Sequence, residues 1–230
     1  MATQTTPTTT TTQPGLTEEQ VDDLLFAARV GDLEDVAAFL DPTIASATAS
    51  GDEAQIAQLL LSIKNDSDNT LLHYCSANGH LDLVNYLLPH SNLSYLLHQN
   101  ASGNTALHWA GLNGHLPVVT ALIDRIEACE RAHPDEASKL NLLLHIQPSG
   151  DEKHEEGSER KLWDVRNAAG RGPMSEAQMN EREDVVKYLL ERMIEGGAAP
   201  DAPASTADAE QQAQDGIEEK TAKLRVGDEA

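Results

Sequence analysis

An internal repeat constrains this chain more than any other feature. The segment TLLHYCSANGHLDLVNYLL, starting at Thr70, aligns with TALHWAGLNGHLPVVTALI, starting at Thr105, thirty-five residues further on. The pairs Thr70/Thr105, Leu72/Leu107, His73/His108, Gly79/Gly114, His80/His115, Val84/Val119 and Leu87/Leu122 are identical. Self-similarity at such a period marks stacked supersecondary units.

Each unit reads as a helix pair. Thr starts a short helix whose small residues (Cys75 and Ser76, Ala110 and Gly111) allow close stacking, and Gly79 or Gly114 suits the left-handed position that ends it. A second helix follows, with apolar residues at helical spacing: Leu81, Val84, Leu87 and Leu88, then Leu116, Val119, Leu122 and Ile123. One such pair cannot bury its apolar face alone, so the expected fold is an all-α solenoid with strand content confined to hairpin tips.

Two weaker units flank the pair. In LLFAARVGDLEDVAAFL, the residues Leu24, Ala27, Ala28, Gly31, Val36 and Leu40 fit the template without T-x-L-H, as an N-terminal cap would. Polar Asp22 and Asp23 stand where the motif would begin. Downstream, NAAGRGPMSEAQMNEREDVVKYLL keeps the apolar positions but has Gly172 for Thr, Ser175 for His and Glu181 for Gly, which suits a C-terminal cap. The spacing implies insertions near 42–60 and 124–161. In the first, ATASGDEAQIAQLLL reads either as an added helix or as a second copy of the cap motif. In the second, the outer helix extends to near Pro134, SKLNLLLHIQ reads as a further short helix, and PSGDEKHEEGSERK as a charged loop. The repeat domain thus runs over 17–193, between a Thr-rich start (1–16) and an acidic tail (194–230) too poor in large apolar residues to join a core.

The net charge of -22 is unevenly spread: residues 1–123 hold thirteen acids against Arg29 and Lys64, which is half of the total. Such a surface disfavours nucleic acid and anionic membranes, whose phosphates demand Lys and Arg, and favours a basic protein partner. No apolar run reaches transmembrane length and no signal-like stretch opens the chain, so a cytoplasmic and nuclear protein is expected. Cys75 and Cys129 make neither a disulfide framework nor a Cys-x-x-Cys zinc site. No phosphate-binding Gly loop ends in Lys and Ser/Thr, and His154-Glu155 lacks the second His of a zinc-protease helix. No cofactor, metal or catalytic role is therefore expected.

On the motifs T-x-L-H, G-H, V-V and L-L, the chain resembles the ankyrin-repeat family. The resemblance implies that the Thr hydroxyl and the His ring three residues on tie the helix start to the preceding hairpin, giving His73 and His108 a structural role, with His80 and His115 alike. More narrowly, AARVGDLEDV, the degenerate T-x-L-H repeat and GNTALHWAGLNGH resemble the small fungal ankyrin-repeat chaperones dedicated to the third small-subunit ribosomal protein, the KH-domain protein at the mRNA entrance. That resemblance implies an ATP-independent chaperone for a highly basic ribosomal protein, monomeric apart from its partner. A generic ankyrin adaptor in signalling or transcription is the alternative.

In this family the hairpin tips and inner helices form a concave binding face. Carried onto this sequence, the partner-binding residues are Asp22, Asp23, Asp66, Asp68, Tyr74, Ala77, Asn78, Ala101, Asn104, Trp109, Leu112, Asn113 and Met179. Leu112 and Met179 are apolar where water is expected. Trp109 has two readings, packing between repeats or contact with a partner, and Trp163 reads as structural.

Overall fold

The computed structural model describes residues 16–50, 53–144 and 161–194. Most of the Thr-rich start, most of the charged loop and nearly all of the acidic tail lie outside them. Among the described residues there are eleven α-helices, one 3-10 turn and no strand; an isolated bridge joins Lys64 to Thr70.

Four inner helices stack in chain order: α1 (Glu18–Val30), α4 (Leu71–Asn78), α7 (Ala106–Asn113) and α10 (Pro173–Met179). The helix α1 begins earlier than the motif does. Thr17 caps it, accepting from the Gln20 N–H while the Gln20 side chain accepts from Thr17 N–H, a reciprocal box that satisfies two otherwise orphan donors. Asp22 and Asp23 therefore sit inside the first two turns, not at a helix start. Each inner helix is followed by an outer partner: α2 (Leu33–Ser50), α5 (Leu81–Leu87), α8 (Leu116–Ala132) and α11 (Glu183–Ile194).

Two of the outer helices are longer than the repeat requires. The helix α2 runs through Pro42 to Ser50, so ATAS closes α2, and the separate added helix α3 is Glu53–Ser62. Neither sequence reading of that segment placed its boundary there. The helix α8 extends to Ala132, and α9 (Pro134–Leu144) turns back against it. A 3-10 turn (Leu88–His90) and the single-turn α6 (Leu93–Leu96) complete this outer layer. The turn packs on α5 and α3, and α6 on α8, α3 and α9, so the added helices lie chiefly against the outer layer. Tyr95 of α6 also reaches α4, its hydroxyl accepting from Leu72 N–H at 3.3 Å.

The core follows the apolar rows named by the repeat: Leu72, Cys75, Val84 and Leu87, then Leu107, Ala110, Val119 and Leu122, are all buried. Trp163 is also fully buried, and its indole N–H donates to Glu127 at 3.4 Å. Glu127 and Asp124 in turn accept from Arg192 at 2.7 and 2.8 Å. This charge cluster, with Glu127 and Arg192 both buried, joins α8, Trp163 and α11. Breaking such a pair strands an uncompensated charge, which costs about 3–5 kcal/mol.

The turn at Gly114 has φ 80°, and a Cβ there would lie 2.7 Å from Arg182 Cδ. Gly170 has φ 72° with open space around it. Gly114→Val should therefore destabilise by at least about 2 kcal/mol, combining left-handed strain with overpacking. Gly170→Ala meets only the strain and should cost about 1 kcal/mol. Thermal unfolding followed by Trp fluorescence measures both, and equal midpoints would contradict this packing.

Candidate protein-binding face

The three hairpin tips are built to one plan. At the head of each stands an asparagine: Asn65, Asn100 or Asn167. Its backbone N–H donates to the carbonyl four residues on, at Asn69, Asn104 and Arg171, with distances of 3.1, 2.9 and 2.9 Å. Its side-chain oxygen accepts two backbone N–H groups within the tip, at 3.0 Å each. The fourth tip residue is left-handed in every case: Asp68 at φ 60°, Gly103 at 73° and Gly170 at 72°.

Asparagines also join tip to tip. Asn100 Nδ2 donates to Asn69 Oδ1, and Asn167 Nδ2 to Asn104 Oδ1, both at 2.8 Å. Two backbone bonds run alongside, from Ala101 N–H to Ser67 O and from Ala168 N–H to Ser102 O. The tips thus form a continuous ladder.

The histidines of the repeat fasten the inner helices to it. His73 Nε2 donates to the Asn104 carbonyl at 3.0 Å, and His108 Nε2 to the Arg171 carbonyl at 3.1 Å. A carbonyl can only accept, so Nε2 carries the proton and Nδ1 accepts from the Thr70 or Thr105 N–H at 3.3 and 3.1 Å. The ring therefore ties its helix start to the following hairpin, which corrects the expectation of a tie to the preceding one. At the other end of each inner helix, His80 Nε2 donates to Arg29 O at 2.9 Å and His115 Nε2 to Ala77 O at 3.0 Å.

Repeat three keeps this wiring with different residues. Arg182 stands at the position of His80 and His115, and its Nε donates to Leu112 O at 3.1 Å. Glu181 takes the left-handed place of Gly79 and Gly114, at φ 58°. Glu176 accepts from Asn167 Nδ2 and Arg171 Nε, each at 2.7 Å, and so ties helix to hairpin where Ser175 replaces His. Burial opposes its charge, yet these two bonds together with the Arg171 charge hold its carboxyl below the ordinary value. The Asp164 carboxylate fills the space a Thr side chain would need, since a Cβ on Gly172 would lie 2.5 Å from Asp164 Oδ1. None of these substitutes has a motif to announce it.

Along the row of inner helices, Phe26, Tyr74 and Trp109 share one register, and Arg29, Ala77, Leu112 and Met179 another. Phe26 is 65% exposed, Val30 52% and Met179 66%. Tyr74, Trp109, Ala77 and Leu112 are half-buried. Phe26 was not among the residues read from sequence; its register with Trp109 was the signal that could have found it. The indole Nε1 of Trp109 is buried without a hydrogen-bond partner among the described residues.

Other residues assigned to the face divide. Asp22, Asp66, Asn78 and Ala101 are exposed, and Asp68 is half-exposed beside Lys64, whose hydrogen bond holds its carboxyl below the ordinary value. Asp23 occupies the register of Leu71 and Ala106, which later repeats bury; among the described residues no helix precedes α1 in the stack, and Asp23 is exposed at that end. Asn104 and Asn113 have internal work: Asn104 in the ladder, Asn113 donating to Ala77 O and Trp109 O at 2.9 and 3.1 Å. Among the described residues there is no cluster that could hold a metal ion, and no helix is long and apolar enough to cross a membrane. Cys75 and Cys129 are free and buried, and burial pushes the Cys75 thiol up to about 12.

This stack is an ankyrin-repeat solenoid, and the ankyrin-repeat family model matches residues 24–133 in three copies. The C-terminal unit, at 167–194, lies beyond the matched span. One chain of the crystal structure of the yeast ribosomal protein Rps3 in complex with its chaperone Yar1 is similar to this chain, with TM-score 0.54 and 26% identity. The match covers 81% of this chain and 99% of that one. No curated protein matches in sequence.

Burial pulls His73 and His108 from the ordinary 6.5 down to about 4. Both rings are then neutral in the fold, and between pH 4 and 6.5 the unfolded chain binds more protons. Their contribution should be complete above about pH 6.5 and lost as pH falls towards 4. NMR titration of the ring protons should show His73 and His108 silent above about pH 5. Titration of either ring near 6.5 would contradict the bonding described.

Proposed function

We propose that this chain is a dedicated, ATP-independent chaperone that holds a basic small-subunit ribosomal protein, the third of that subunit, on its concave face. It keeps that protein soluble in cytoplasm and nucleus until incorporation into the pre-40S particle. The observation that carries the reading is the similarity, across nearly the whole of that chain, to the complex of Rps3 with its chaperone Yar1. The surface supports it independently. An apolar row of Phe26, Tyr74, Trp109, Leu112 and Met179 offers contact area, and thirteen acids against two bases over residues 1–123 attract a cationic partner.

The two features should separate kinetically. Exposed ion pairs are worth about 0–1 kcal/mol each, so no single charge reversal should abolish binding. Reversing Asp22, Asp23, Asp66 and Asp68 together should slow association with Rps3 and flatten its salt dependence, because screening over about 8 Å acts on the remaining field. Leu112→Glu and Phe26→Ser should instead raise the dissociation rate, each by roughly tenfold, since buried apolar anchors dominate interface energy. Association and dissociation rates at low and physiological salt decide this. If Leu112→Glu, Phe26→Ser and the fourfold reversal all bind like the unaltered chain, the partner does not use this face.

A further inference from the structure

The concave face is graded in charge from one end to the other. At its start Glu18, Glu19 and Asp22 are exposed on α1 with one base, Arg29, and the first tip exposes Asp66. The second tip presents uncharged Ala101 and Ser102. The third presents Ala168 and Ala169 between Arg166 and Arg171, whose side chains are 45% and 40% exposed. Whole-segment charge agrees: residues 1–123 carry thirteen acids and two bases, whereas residues 161–194 carry six of each.

Distance keeps the two ends electrically separate. Helices pack about 8–10 Å apart, so the first and third tips, two repeats apart, lie on the order of 20 Å from one another. The Debye length at physiological salt is about 8 Å, so a bound segment meets the local charge at each position and not an average. Apolar exposure, by contrast, is present at both ends, at Phe26 and at Met179. Apolar contact therefore sets no direction, and charge does.

We infer that this gradient orients the partner. The groove takes a segment whose Lys and Arg are gathered at one end, and that end sits over α1 and the first tip. Its apolar continuation crosses Trp109 and Leu112 and ends at Met179. Arg166 and Arg171 are each paired with a carboxylate, Asp164 and Glu176, so the third tip is near neutral and the reversed placement leaves the partner's Lys and Arg without opposite charge. The inference rests on the reading that this face binds a basic protein, and adds to it the layout the bound segment must have.

The test uses the full chain and two helical peptides of about twenty residues, enough to span about 30 Å. Their composition is identical; in one the lysines are clustered at one end, in the other they are spread evenly. Each carries a photo-crosslinker at either end. The clustered peptide should bind roughly fivefold more tightly. Its cationic end should cross-link to residues of α1 and the first tip, and its other end to α10. Adding acid to the third tip with Ala168→Asp and Ala169→Asp, both at exposed positions, should erase that preference. Equal affinity of the two peptides, or cross-links from each end to both ends of the groove, overturns the orientation while Rps3 binding leaves the face itself standing. If neither peptide nor Rps3 binds, the orientation and the face fall together.

Discussion

The hydrogen bond from an inner-helix histidine to the next hairpin holds this molecule in register. A solenoid has no closed core, so each repeat must be fixed to its neighbour by contacts that reach only one unit away. His73 spans from its own helix start to Asn104, and His108 does the same to Arg171. The asparagine ladder repeats the link at the tips, and His80, His115 and Arg182 repeat it at the far end of the inner helices. Each unit is thereby pinned at both ends of its inner helix. With register fixed there, the row of side chains between those pins can hold exposed Phe26 and Met179.

Much of this was legible in the sequence where a motif repeats. Thr70 and Thr105, the two histidines that follow them and the turn glycines all stand where the alignment puts them. Repeat three was legible only as an apolar pattern, because its structural bonds are made by other chemistry. Glu176 replaces a ring by a carboxylate one position along, Arg182 replaces imidazole by guanidinium, and Asp164 reaches in from outside the repeat. Such replacements preserve a hydrogen bond in space without preserving a residue type, and periodicity cannot see them. The boundary between α2 and α3 was hidden for a different reason: α2 runs past Pro42, where the insertion was placed, and continues to Ser50.

The site was legible in outline. Leu112 and Met179 were visible as apolar residues at positions that repeats usually leave to water, whereas Phe26 stands in a unit whose motif has decayed. Asn104 and Asn113 looked like surface polar groups and turn out to hold the stack together. The extra helices α3, α6 and α9 pack together with α8 behind the repeats. They enclose a cleft of about 420 Å³, lined among others by Ile56, His90, Arg125 and Cys129, on the outer layer. Among the described residues these helices pack on the outer layer and leave Phe26 and Met179 of the inner row exposed.

The central claim is that the inner helices and tips, and not this outer layer, engage a basic ribosomal protein. Amide hydrogen exchange of the full chain, alone and saturated with Rps3, addresses it directly. The account predicts slowed exchange in α1, α4, α7 and the first two tips, with α3, α6 and α9 unchanged. Protection confined to α3, α6 and α9, with the inner row unchanged, would contradict it.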